Sequence, residues 1–93
     1  MDKQDERGAP RKYADYVVEF YDSEGFLLLG VGRLLDLSAT GALVESSLRL
    51  TVEDKVLVRL RRGRHSDVDL SATVVRVRHK ASTATYGLRF IRT

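Results

Sequence analysis

The 93-residue sequence contains no cysteine, which excludes disulfide bridges and thiolate metal centres outright. Histidine is nearly as scarce: His65 and His79 stand far apart, with no spacing that suggests a metal site. No apolar run approaches transmembrane length. The N-terminal stretch MDKQDERGAPRKYADY is too polar for a signal peptide, so the expected compartment is the cytoplasm. No nucleophile stands beside a base and no carboxylate pair is in evidence, so neither an enzyme nor a resident cofactor is expected.

What the chain does contain is enough for one small domain. Hydrophobic residues make up 43% and charged residues 31%, which allows a real core of modest stability. The net charge is +3, and the basic residues gather at Arg7–Lys12, Arg59–Arg64 and Arg76–Lys80. Twelve of the sixteen are arginine, the better fork for phosphate and for guanine edges. An anionic partner is implied. The Arg59–Arg64 cluster, however, reads chiefly as a solvated strand face.

Residues 1–12 hold almost no hydrophobic side chains, and Gly8 and the only proline, Pro10, interrupt any regular element. They read as a flexible N-terminal arm, with a barrel domain over 13–93. Beyond the arm, short Val-, Leu-, Tyr- and Phe-rich segments alternate with turn chemistry, an all-β pattern. Tyr13–Phe20 predicts a first strand, closed by the Asp22-Ser23-Glu24-Gly25 turn. Phe26–Leu35 predicts a second, where Gly30 and Gly32 argue against helix and for a bend or bulge. Gly41–Glu45 is a third. In Lys55–Arg61, Val56, Val58 and Leu60 alternate with outward residues, and Arg62-Gly63-Arg64 reads as the following turn.

The long strand Asp67–His79 changes phase. Val68, Leu70, Ala72 and Val74 share a face, whereas Val75 and Val77 fall on the other. One extra residue near Val74–Val75 would return both sets to the core and aim Arg76 outward. Tyr86, Leu88 and Phe90 form the inward face of a last strand. Six short strands without helical periodicity favour an antiparallel barrel, since closure removes exposed edges.

Two short patterns carry chemistry. Arg7 and Arg11 stand four apart on the arm as R-x-x-x-R, and Asp36-Leu37-Ser38-Ala39-Thr40-Gly41 is a D-x-S-x-x-G between two strands. The chain holds its own control: Asp69-Leu70-Ser71-Ala72-Thr73-Val74 repeats the first five letters but ends in valine. At Gly41 the missing side chain permits a left-handed or tight backbone that brings Asp36 and Ser38 to one place. In the straight strand the same letters diverge. An aspartate accepts from the N1–H and N2–H₂ edge of guanine, arginine forks onto phosphate or guanine O6 and N7, and serine is an adaptable donor.

These patterns, followed by Val74-Val75-Arg76-Val77-Arg78 and Tyr86-Gly87-Leu88-Arg89-Phe90, resemble the PilZ domain family from about Glu6 to Ile91. The resemblance implies a six-stranded barrel that binds cyclic di-GMP in bacteria. By the same resemblance, Arg7 and Arg11 would hold phosphates and guanine Hoogsteen edges. Asp36 and Ser38 would contact base and phosphate, and Gly41 would shape the turn. Arg76 falls where family members often place a flat group that stacks on guanine. A downstream protein or neighbouring domain is the implied partner, reading a ligand-driven conformational change. The family's usual C-terminal helix is expected to be short or absent, and Glu6, where some members carry another arginine, favours one ligand molecule per chain. Two alternatives stay open: a basic barrel binding single-stranded nucleic acid, and a PilZ-fold adaptor that binds only protein.

Overall fold

A computed structural model describes residues 16–61 and 67–92. Six strands close a barrel: β1 (Val17–Tyr21), β2 (Leu28–Leu37), β3 (Gly41–Ser46), β4 (Lys55–Arg61), β5 (Val68–His79) and β6 (Ala84–Phe90). Around the barrel the order is β1-β2-β3-β6-β5-β4, with β4 returning to β1, and every pairing is antiparallel. No helix occurs among the described residues, and none of them forms a helix long and apolar enough to cross a membrane. The arm over 1–12, the start of the first strand at 13–15, the Arg62-Gly63-Arg64 turn and His65 lie outside the described residues.

Alternation fills the interior. Val18, Phe20, Leu34, Val44, Val58, Val74 and Tyr86 are fully buried. Val56 and Leu60 join them from β4, whose bounds match the sequence expectation. Tyr86 and Leu88 point inward as expected, and Phe90 packs half-buried against the core.

The second strand sits later than expected, at Leu28–Leu37 rather than Phe26–Leu35. The cause is Asp22: its carboxylate accepts the N–H groups of Phe26 and Leu27 at 2.8 and 3.1 Å, which draws both residues into the turn. The irregularity expected near Gly30 is a bulge at Leu29, since Phe20 pairs with Gly30 but Tyr21 with Leu28.

The bulge expected in β5 is present between Val74 and Arg76. One part of that expectation is corrected. Val77 packs against the core, but Val75 is the extra residue itself and remains 40% exposed. A bulged residue drops out of the ladder and gains no inward partner.

Arg59 and Arg61 behave as the solvated face predicted for them. Arg59 pairs with Asp69 at 2.8 Å and lies over the Tyr21 ring, while Arg61 reaches Glu19 at 3.1 Å.

Tyr86 ties the wall to the segment after β3. Its buried hydroxyl donates to the Leu48 carbonyl and accepts from the Leu50 N–H at 3.0 Å. Tyr86→Phe should therefore cost about 1–3 kcal/mol, because it strands a buried donor. Thermal denaturation should show a drop of roughly 4–8 °C per kcal/mol in a domain of this size. An unchanged melting temperature would mean water reaches Leu50.

Three surface carboxyls are held below the usual carboxylate range. For Asp22 the cause is chiefly the Leu27 N–H, for Glu45 a hydrogen bond from Arg33, and for Asp69 one from Arg59. Each binds a proton less readily folded than unfolded, so each stabilises the fold above the ordinary carboxylate range. That contribution disappears as pH falls through the folded values. The melting temperature should decline steadily below about pH 4. A flat acid profile would show that these bonds are no better than those to water.

Candidate functional site

The β2–β3 turn is built around Ser38. Its N–H donates to the Gly41 carbonyl at 2.9 Å, and its Oγ accepts from the N–H groups of Thr40 and Gly41 at 3.3 and 3.2 Å. A serine hydroxyl that bonds the backbone two and three residues on fixes a tight loop at little cost. The Phe90 N–H closes onto the Thr40 carbonyl at 2.8 Å, which pins the end of β6 to this turn.

Gly41 is required here, but not for the left-handed backbone considered from the sequence. Among the described residues, Gly25 is the one glycine with positive φ. At Gly41 a Cβ would instead overlap the Leu88 carbonyl oxygen of β6. The demand is close approach of two strands, set by a residue far away in sequence.

Two bulges aim the candidate side chains. In β2 Leu34 pairs with Val44 but Asp36 pairs with Leu43, leaving Leu35 as an extra residue. Leu34 is buried and Asp36 is exposed, although plain alternation would put both inward. In β5 the Val75 bulge does the same: Val74 is buried and Arg76 is exposed. The result is one row across the outer wall. Asp36 faces Leu43, Leu43 faces Gly87, and Gly87 faces Arg76. Three strand spacings separate its ends, about 14 Å.

Gly87 leaves the middle of that row low. An open groove of about 710 Å³ lies over it, within the size range of small-molecule sites. Ser38, Gly41 and Arg76 line this groove together with Leu43, Val75, Arg89 and Arg92. Asp36 lines an adjoining hollow of about 130 Å³ that shares Ser38, Gly41 and Leu43. Four of the six residues singled out from the sequence thus gather on one face. Arg7 and Arg11 lie outside the described residues.

Arg89 and Arg92 were missed by sequence reasoning. Arg89 stands beside Gly41 across the β3–β6 ladder, and nothing local in the sequence announces that pairing. The available signal was the R-x-x-R spacing after Gly87, read only as part of a closing strand. Among the described residues, no carboxylate lies within ion-pair distance of Arg76, Arg89 or Arg92. Asp36 has no cationic partner either; its Oδ1 accepts the Leu37 N–H at 2.9 Å. Among the described residues, the groove thus carries three cations without a carboxylate partner, and the adjoining hollow a carboxylate without a cationic one.

The control segment behaves differently. Asp69 sits near the start of β5 in its ion pair with Arg59, and Ser71 is outward and exposed within the ladder.

The family model of the PilZ domain matches residues 5–93. The chain belongs to the PilZ domain family. No curated protein and no solved structure gives a significant match. PilZ domains are binding modules rather than catalysts, and as a family they are generally receptors for cyclic di-GMP.

Proposed function

We propose that this PilZ domain binds cyclic di-GMP in the groove over β3, β6 and β5, with Arg7 and Arg11 closing on it from the arm. The supporting observation is the row from Asp36 to Arg76, turned outward at both ends by bulges. A carboxylate suits the guanine N–H edge, and unpaired guanidiniums suit phosphate or a stacked base. Ser38 and Gly41 set the turn between them. The arm can reach. Tyr16 and Ser38 line one apolar pocket at the mouth of the barrel. Arg11 and Arg7 precede Tyr16 by five and nine residues, extended spans of about 17 and 31 Å.

On this reading the protein is a non-catalytic receptor in the bacterial cytoplasm. It takes one ligand molecule and passes a conformational change to a downstream protein or neighbouring domain. Single-stranded nucleic acid is the poorer reading, because among the described residues Phe90 is the one aromatic lining the groove, half-buried against the core, where a single strand stacks on a series of exposed rings. Tyr86 is buried, and Tyr21 lies under Arg59 with its hydroxyl on Glu19.

Calorimetric titration tests the proposal. Cyclic di-GMP should bind, and cyclic di-AMP should bind at least tenfold more weakly, since adenine leaves the Asp36 carboxylate without donors. One such mismatch costs on the order of 1–3 kcal/mol. Equal affinity for the two nucleotides would remove guanine reading from Asp36. Displacement of the ligand by single-stranded RNA would favour the nucleic-acid alternative.

A further inference from the structure

The β1–β2 turn lies at the end of the barrel opposite the Ser38 turn, because β2 runs from one to the other. This far end carries an unusual surface. Phe26 is 84% exposed, Leu27 61%, and Leu28, Leu29 and Val31 continue the apolar strip along β2. The strip is held in a fixed shape. Besides the two bonds to the Asp22 carboxylate, the Asp22 N–H donates to the Leu27 carbonyl at 3.0 Å. The Gly25 N–H donates to the Asp22 carbonyl at 2.8 Å. Gly25 supplies the positive φ of 82° that the turn needs. The turn is ordered before any partner arrives, so little freedom is lost when its side chains are covered.

We propose that this hairpin tip is a docking surface for a protein whose apolar groove is rimmed by lysine or arginine, with Phe26 and Leu27 as its anchors. Charge argues for that occupant. The chain has no lysine or arginine from Tyr13 through Gly32, while Asp22 and Glu24 sit in the turn itself. The turn itself thus carries two carboxylates beside an apolar knob and no cation; the cation that the β1–β4 ladder brings to its base, Arg59 over Tyr21, is paired with Asp69. Exposed aromatic anchors entering a pocket, with a complementary charged rim, are the usual source of binding energy and partner choice.

Two other occupants fit less well. A two-fold dimer through this tip would set Asp22 and Glu24 against their own copies. Anionic lipid would be repelled by the same carboxylates.

The test uses the whole chain and random peptides displayed on phage. Selected peptides should combine aromatic or aliphatic residues with lysine or arginine. Phe26→Ser should weaken them at least tenfold, and Glu24→Lys should weaken them and shift selection towards acidic peptides. Both variants should melt like the wild type. Should Phe26→Ser melt lower, Glu24→Lys, which removes no packing contact, carries the result alone. Peptides without basic bias, or indifferent to both substitutions, would overturn the proposal. So would Phe26-dependent self-association in sedimentation, or Phe26-dependent flotation with phosphatidylglycerol vesicles. None of these measurements involves the nucleotide, so they stand or fall separately from cyclic di-GMP binding.

Discussion

Gly41→Val should melt the barrel far below the wild type and abolish cyclic di-GMP binding with it. The added Cβ would overlap the Leu88 carbonyl oxygen, a backbone atom that no side-chain rotation can move aside. Relief requires β3 and β6 to part at their first pairs, Gly41 with Arg89 and Ala42 with Leu88. Overpacking against flexible neighbours costs about 1–3 kcal/mol, and a backbone clash should reach about 3 kcal/mol or more. In a domain of this size that is roughly 12 °C or more of melting temperature. The same separation would pull Arg89 from the Ser38 turn and break the groove. Ser71→Ala supplies the contrast, with a change within about 0.5 kcal/mol, as for most surface positions. Asp69→Asn should cost no more than about 1 kcal/mol, since its pair with Arg59 is partly exposed. Calorimetric melting and ligand titration of the three variants check this. Wild-type behaviour of Gly41→Val would mean that the close approach of β3 and β6 does not exist.

That residue also shows what the sequence can and cannot carry. The need for glycine at position 41 was legible by contrast with Val74 in the repeated segment. Its cause was not, because Leu88 meets it through a strand pairing 47 positions away in the chain. Local patterns declare which face of a strand is buried. They do not declare which strands are neighbours. Arg89 escaped notice for this reason: the β3–β6 ladder brings it beside the Ser38 turn, and Arg92 lines the same groove just past the end of β6.

The two bulges divide in the same way. In β5 the change of phase is visible, since Val74 and Val77 both need the core and differ by three positions. In β2 the extra residue is Leu35, flanked by Leu34 and Leu37. An unbroken apolar run hides a slip of one residue, so the outward turn of Asp36 had no signature of its own. The strands themselves were the most legible part, with β4 recovered to its bounds and β2 displaced by two residues at each end. That displacement follows from one carboxylate, Asp22, whose hydrogen bonds outweigh the strand preference of Phe26 and Leu27.

Arg7→Ala and Arg11→Ala should each weaken cyclic di-GMP binding more than tenfold and leave the melting temperature of the free protein nearly unchanged. A charge-assisted hydrogen bond contributes roughly 1.5–3 kcal/mol, which is tenfold or more in affinity. Residues 1–12 have almost no apolar side chains to bury, so the barrel should not need them. Fixing each backbone residue costs roughly 1–2 kcal/mol, and nothing in the arm's own composition offsets that before the ligand arrives. A dianion lodged between Asp36 and Arg76 would give Arg7 and Arg11 a common target. The arm would then close because it binds better in one state than in the other. Amide hydrogen exchange over 5–12 should accordingly be fast without cyclic di-GMP and slow at saturation, and the double variant should lose the slowing while its barrel stays protected. The alternative is an arm already packed through Tyr13, in which case exchange is slow in the free protein and either substitution lowers its melting temperature. Full affinity in both variants would leave the groove's own arginines, Arg76, Arg89 and Arg92, as sufficient for the phosphates and would remove the arm from the site.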